Sequence, residues 1–332
     1  MLSFYSQYGI YYILLFCIAN QGISEIYTIM KTKSRYISGL DIQKDYISIA
    51  QYSPEESAVL LIAIQPVSQE SKGSGFWENS IEELKSLKGK FKFHSPELVI
   101  SVPSEYAVVK RIQTDIDEKS PGELVKWELE QNLNDSINEY MLDYQELTIV
   151  SDKSLKEYLA VAYRRESIEP VFGILKNLKL KPVILDLDIF ALINVFEANY
   201  EEFLSLPVII VYGEMEKTKL ILSLNGEFID FQCFEYKYGA LEPGMYSQKV
   251  LKEISRILYI NGYELKSTKL FLCGSVFSQI EYADSIFNQT NNGELLNPFR
   301  KIACRVGIDD ERLKTYIPQL SVSVGLALRG ND

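Results

Sequence analysis

The sequence predicts an α/β fold of two lobes. Three observations carry this. A strand–turn–strand pattern opens near residue 36 and again near 207, amphipathic helices and buried returning strands follow each one, and 332 residues allow two cores. Hydrophobic residues make 47% and charged residues 24% of the chain, an ordinary globular composition. In the first lobe, strands are expected over 36–42, 46–51 and 59–64, and the unbroken apolarity of the third suggests burial on both faces. A Ser/Gln/Gly-rich loop covers 67–75, and a helix over 76–87 sets Trp77, Ile81, Leu84 and Leu87 on one stripe. A strand over 98–102 ends at Pro103.

The texture then changes. Residues 107–114 read as a strand, and Ser120-Pro121-Gly122-Glu123 opens a helix with a capping residue and Pro in its first turn. That helix carries Leu124, Trp127, Leu129 and Leu133, and strands follow over 140–149 and 157–163. A helix over 168–178, a buried strand over 183–187 and a helix over 189–198 return to the first texture. Residues 103–165 therefore read as a small α+β insertion in a first lobe formed by 36–102 and 166–205. The second lobe, 206–332, has strands over 207–212, 217–224 and 228–233, with an Asn225-Gly226 hairpin turn between the last two. A helix over 247–260, a strand over 270–274 and a closing helix over 320–328 complete it.

Residues 1–35 read as an N-terminal extension. The apolar run 11–19 is shorter than a membrane span of about 20 residues, and no Lys or Arg precedes it as in a signal peptide. Met30, followed by Lys31, reads as the start, with a membrane-contacting segment as the competing reading. Against 34 Lys+Arg stand 45 Asp+Glu, a net charge of −11, which argues against nucleic acid as a partner. One histidine, His94, disfavours a His-based metal site or a Ser-His-Asp triad, and no metal site is expected. Cys17, Cys233, Cys273 and Cys304 show no C-x-x-C spacing and read as buried thiols. Asp186 and Asp188 read as solvated strand-end caps, and Asp115-Asp117-Glu118 and Asp309-Asp310-Glu311 as solvated loops.

Two lobes with hairpins facing each other form the layout of an actin-like (ribonuclease H-like) fold, whose turns hold nucleotide phosphates. Several segments, in order from about residue 36 to the end, then resemble the PilM family, the actin-like cytoplasmic proteins of type IV pilus assembly. These are Gly39-Leu40-Asp41-Ile42, the 98–103 strand with Val108–Ile112, Trp127-Glu128-Leu129-Glu130-Gln131, Leu142-Asp143-Tyr144-Gln145, Leu180–Asp186, Asn297-Pro298-Phe299 and Val322–Arg329. The W-E-x-E-Q and L-D-Y-Q pieces are the most specific.

The departures from that family change what it implies. An actin-like ATPase needs D-x-G in the first hairpin; here Asp41 is kept, but Gln43 replaces the glycine. The family's lysine seven positions after the acid falls on Ser48. In the second hairpin Tyr212 takes the acid position and Gly213 looks displaced, and the adenosine loop reads Cys273-Gly274-Ser275-Val276 instead of three glycines. About fifteen residues, 234–248, stand where the family inserts a helical subdomain over the nucleotide, so that subdomain is reduced. The resemblance then implies a degenerate chain without ATP hydrolysis, with residual nucleotide contacts confined to Asp41, Gly213 and Gly274. Asp41 reads equally as a plain turn residue.

The resemblance further implies a cytoplasmic adaptor, peripheral on the inner-membrane platform through the short cytoplasmic segment of a PilN-like protein. That segment lies in a groove between the first lobe and the insertion, where Arg111, Trp127, Glu130 and Tyr144 are the candidates; Trp127 reads alternatively as core. Self-association stays open. The rivals are an ATP-binding member with nucleotide-regulated docking and the cytoplasmic L-type component of type II secretion. The second continues into a transmembrane helix and periplasmic domain that do not follow here.

Overall fold

The computed structural model describes residues 36–67, 80–90, 93–147, 154–236, 241–306 and 311–329. The extension 1–35 with its apolar run and Cys17, the glycine loop 73–75, Trp77 and the pair Asp309-Asp310 lie outside them.

Strands β1 (Ile37–Ile42), β2 (Tyr46–Ser53) and β3 (Ala58–Pro66) form an antiparallel meander. Helix α1 (Ile81–Lys90) buries Leu84 and Leu87 and leads into β4 (Glu97–Val102), parallel to β1. A turn over 104–106 then opens the insertion: β5 (Ala107–Asp115), α2 (Pro121–Glu130), β6 (Tyr140–Glu146) and β7 (Leu155–Arg164). Its antiparallel sheet has the order β5-β7-β6. One face packs on α2 through a small core of Ile112, Val125, Leu129, Tyr140 and Tyr158. From the other face, Leu159, Val161 and Tyr163 join the main core of the molecule. Helix α3 (Glu169–Asn177) precedes β8 (Lys181–Leu187), which is parallel to β4, and α4 (Asp188–Asn199) follows at once, buried along nearly its whole length.

The second sheet begins with β9 (Val208–Gly213), β10 (Lys217–Leu224) and β11 (Glu227–Glu235). Asn225 (φ +53°) and Gly226 (φ +76°) make the left-handed turn that a tight hairpin requires. Helix α5 (Pro243–Ile260) presents Val250, Ile254, Ile257 and Leu258 to the sheet, as its periodicity dictates. Strand β12 (Lys269–Cys273), α6 (Ile280–Phe287) and β13 (Gly293–Leu295) complete the order β11-β10-β9-β12-β13.

The chain end differs from the expectation that 206–332 stays together. The Asn297-Pro298-Phe299 segment carries the backbone back: the Asn297 N–H donates to the Tyr200 hydroxyl (2.9 Å), and the Asn199 amide donates to the Pro298 carbonyl (3.1 Å). Strand β14 (Ala303–Cys304) then joins β3, giving a first sheet of order β14-β3-β2-β1-β4-β8. After α7 (Glu311–Tyr316), helix α8 (Ser321–Leu328) packs between β1 and α4 in the first lobe. Small residues allow it: a Cβ on Gly39 would lie 2.0 Å from the Ser323 carbonyl oxygen, and one on Gly325 would lie 1.9 Å from that of Ala191.

Strand β3 is covered on both faces, since the adjacent residues Ile62 and Ala63 point to opposite sides and are both buried, while Leu60, Leu61 and Ile64 stay half-covered. The thiols depart from the uniformly buried reading. Cys273 is buried, whereas Cys304 is half-buried and Cys233 exposed. Among the described residues no helix is long and apolar enough to cross a membrane.

Candidate functional site: the cleft between the two hairpins

The β1–β2 and β9–β10 turns face each other, and their registers match. Asp41 pairs with Ser48 and Tyr212 pairs with Lys219, so the spacing 41 to 48 repeats as 212 to 219. Tyr212 therefore stands at the acid position of the second hairpin. Glu214, not Gly213, corresponds to Gln43. Lys219 occupies the place that Ser48 holds in the first hairpin. Sequence reasoning missed Lys219, although the same spacing counted from Tyr212 finds it.

Asp41 is a fully buried strand residue, not a turn residue. Its Oδ1 accepts from Ser101 Oγ (2.7 Å) and from Gln43 Nε2 (2.8 Å). The side chain that replaced glycine thus folds onto the carboxylate. Tyr46 donates its hydroxyl to Asp41 Oδ2 (3.4 Å) and meets the Tyr212 hydroxyl at 3.1 Å, joining the lobes. Burial lifts the Asp41 carboxyl to about 7 against those two stabilising hydrogen bonds.

Lys219 is fully buried on β10 and draws carboxylates from both lobes. Its ammonium pairs with Asp188 at the start of α4, with Glu105 Oε2 (2.7 Å) and with Glu214 Oε1 (3.3 Å). Lys217 pairs with Glu105 as well, and Lys44 reaches across the mouth to Glu216. Burial opposes the Lys219 charge, but Asp188 and Glu214 outweigh it and hold the ammonium above the ordinary lysine range. Burial also raises Glu214 to about 8, with Lys219 pulling the other way. Removing one partner of such a buried pair costs about 3–5 kcal/mol, because the other charge is stranded.

The acids read as solvated caps are interior groups. Asp186 and Asp188 are both fully buried. Asp186 lies 3.2 Å from the buried Arg329 guanidinium just after α8, and Asp188 Oδ1 accepts the backbone N–H groups of Ile189 (2.8 Å) and Ser104 (3.2 Å). Strand-end periodicity does not reveal that the second lobe and the chain end close over them.

The glycines of the second lobe serve packing. A Cβ on Gly213 would meet Phe277 at 2.9 Å and the Tyr246 hydroxyl at 3.0 Å, and one on Gly274 (φ +99°) would meet the Gly213 carbonyl oxygen at 2.4 Å. Tyr246 is buried beside them; its ring lies 5.0 Å from Tyr236 and 5.3 Å from Tyr282, and its hydroxyl is 2.9 Å from Thr218 Oγ1. Aromatic rings therefore fill the space between the second hairpin and the loop after β12. Between the two turns, lined by Gln43, Lys44, Asp45 and Glu214–Lys217, the cavity measures about 10 Å³, the room of about one water. Gln43 and Glu214 stand at the glycine places of the two turns and Tyr212 at the second acid place, a lining that does not fit the phosphates of a magnesium nucleotide.

The insertion candidates separate. Trp127 is 55% exposed on the outer side of α2, so it is not core; Val125 and Leu129 take the inner side. Tyr144 is half-exposed on the edge strand β6, edge-to-face with Tyr158 and close against Gly122 at the start of α2. Glu130 is exposed at the last residue of α2. Arg111 is engaged elsewhere. Its guanidinium forks onto Glu157 (2.9 and 2.6 Å) and donates to the Phe228 carbonyl on β11 (3.2 Å).

Two sheets carrying facing hairpins, with a small domain inserted in the first lobe, define an actin-like fold. The family described as Type IV pilus assembly protein PilM matches residues 39–207, about half of the chain. This chain belongs to that family. A solved PilM-PilN type IV pilus biogenesis complex is similar, with TM-score 0.74, 20% identity, 89% of this chain covered and 98% of that one. A Bacteroides thetaiotaomicron protein with an actin-like ATPase fold and unknown function gives TM-score 0.50 at 11% identity, covering 87% of this chain and 98% of that one. No curated protein sequence matches.

Proposed function

We propose that this PilM-family chain is a cytoplasmic adaptor of a pilus-like inner-membrane platform that binds a short peptide of a PilN-like membrane protein without hydrolysing ATP. One contrast carries the reading. Between the two hairpins Gln43 folds onto Asp41 and Lys219 is tied to Asp188, while the insertion keeps an edge strand and exposed aromatic side chains. The similar complex of a PilM with PilN supports the choice of partner.

Titration calorimetry of the full chain with the cytoplasmic segment of a neighbouring PilN-like protein tests the adaptor role. Binding is expected, with Trp127→Ala and Tyr144→Ala each weakening it by about tenfold, as exposed aromatic anchors do. No binding at high micromolar peptide would overturn the reading.

A thermal-shift titration with MgATP tests the second part. A site filled at about 100 times its dissociation constant would add about 2.7 kcal/mol. No shift is expected at millimolar MgATP, and a shift of several degrees would favour the nucleotide-regulated alternative.

A further inference from the structure

We infer that β10 has taken over the bridging role of a bound ligand: Lys219 and Lys217 latch the second lobe onto Glu105 and Asp188 of the first and thereby set the pose of the inserted subdomain. As a statement about a docking surface, this rests on the adaptor reading above; as a statement about the latch, it stands on geometry alone.

Glu105 belongs to the turn 104–106 between β4 and β5, the root from which the insertion grows. Both lysines of β10 grip it from across the cleft. Asp188 holds the same turn through the Ser104 N–H (3.2 Å) while pairing with Lys219. One ammonium thus ties the start of α4, the root of the insertion and the β9–β10 turn. The next strand makes a second tie further out, where the Phe228 carbonyl of β11 accepts from Arg111 of β5 (3.2 Å). Phe228 also shares the main core with Leu159, Val161 and Tyr163 of the inserted sheet and with Phe190 of α4, its ring 5.5 Å from that of Phe190. The β10–β11 hairpin is therefore a brace that touches the insertion at its base and on its inner face.

The position of Lys219 distinguishes this from an ordinary buried ion pair. It projects from the second phosphate hairpin, at the register place that Ser48 has in the first, and it neutralises carboxylates of both lobes. A bound ligand at that place could exchange and let the lobes shift. A lysine side chain does not leave, so the second lobe becomes a fixed support.

Hydrogen–deuterium exchange of the full chain tests the latch without any partner. Lys219→Met is expected to speed exchange at least about tenfold over 43–45 and 104–112 while α8 keeps its protection, and Lys219→Arg is expected to stay near wild type. If Lys219→Met does not fold, the double variant Asp188→Asn/Lys219→Met, which removes one charge of each sign, carries the test with the same expectation. Unchanged protection of 104–112 in a folded variant overturns the latch. So does wild-type protection over 43–45 that rises with MgATP. PilN-like peptide binding is expected to weaken at least about fivefold in the variant. A wild-type chain that binds no peptide sinks the adaptor reading, and the exchange data still decide the latch.

Discussion

Replacing Gly39 with alanine is expected to lower the melting temperature by about 6 °C or more, the equivalent of about 3 kcal/mol. The added Cβ would lie 2.0 Å from the Ser323 carbonyl oxygen and 2.6 Å from the Ala327 nitrogen. Both are backbone atoms of α8, so no side-chain rotation relieves the contact. The helix cannot retreat either, because Gly325 on its far side brings it against α4, where a Cβ would stand 1.9 Å from the Ala191 carbonyl oxygen. Strand β1, α8 and α4 are close-packed layers with no slack to absorb a methyl group. Circular dichroism melts of Gly39→Ala and Gly325→Ala are the check. A midpoint within about 1 °C of wild type for either one would show that α8 slides freely, contrary to this packing.

Glu197→Gln is expected to stabilise the protein, and to do so more as pH rises. Glu197 on α4 is 4% exposed and sits against the Gly226 turn. Burial, reinforced by the charge of Glu227, lifts its carboxyl from 4.5 to about 9. The folded state therefore keeps a proton that the unfolded chain has lost, so this group's contribution is fully present below pH 4.5 and is lost as pH climbs toward 9. Glutamine imitates the protonated form at every pH, and the gain near neutrality is on the order of 2 kcal/mol. Asp41 and Glu214, raised to about 7 and about 8, act in the same direction in the wild type. Thermal melts on the acid and alkaline sides of neutrality should show the wild type losing stability with rising pH and Glu197→Gln losing less. Parallel curves for the two proteins would mean that Glu197 is ionised in the fold.

The amino-acid sequence by itself determined the local elements of this protein. Alternation and turn residues set the paired hairpins, Asn225-Gly226 set the β10–β11 turn, Pro121 opened α2, and the apolar stripe of α5 chose its buried face. It also carried the departures from D-x-G at Gln43 and Tyr212, since these are statements about residue type at fixed spacing. Only the tertiary structure decided which elements meet. Nothing in the small-residue run Val322–Leu328 says that it lies on β1 rather than in the second lobe. Nor does periodicity say that Asp188 faces Lys219, 31 residues away, that Arg111 reaches β11, or that Trp127 looks outward. The physical reason is that side-chain periods of 2 and 3.6 report which face of an element is buried. The partner that buries it is selected by long-range packing and charge pairing, where a glycine missing its Cβ or one lysine between carboxylates settles the fit.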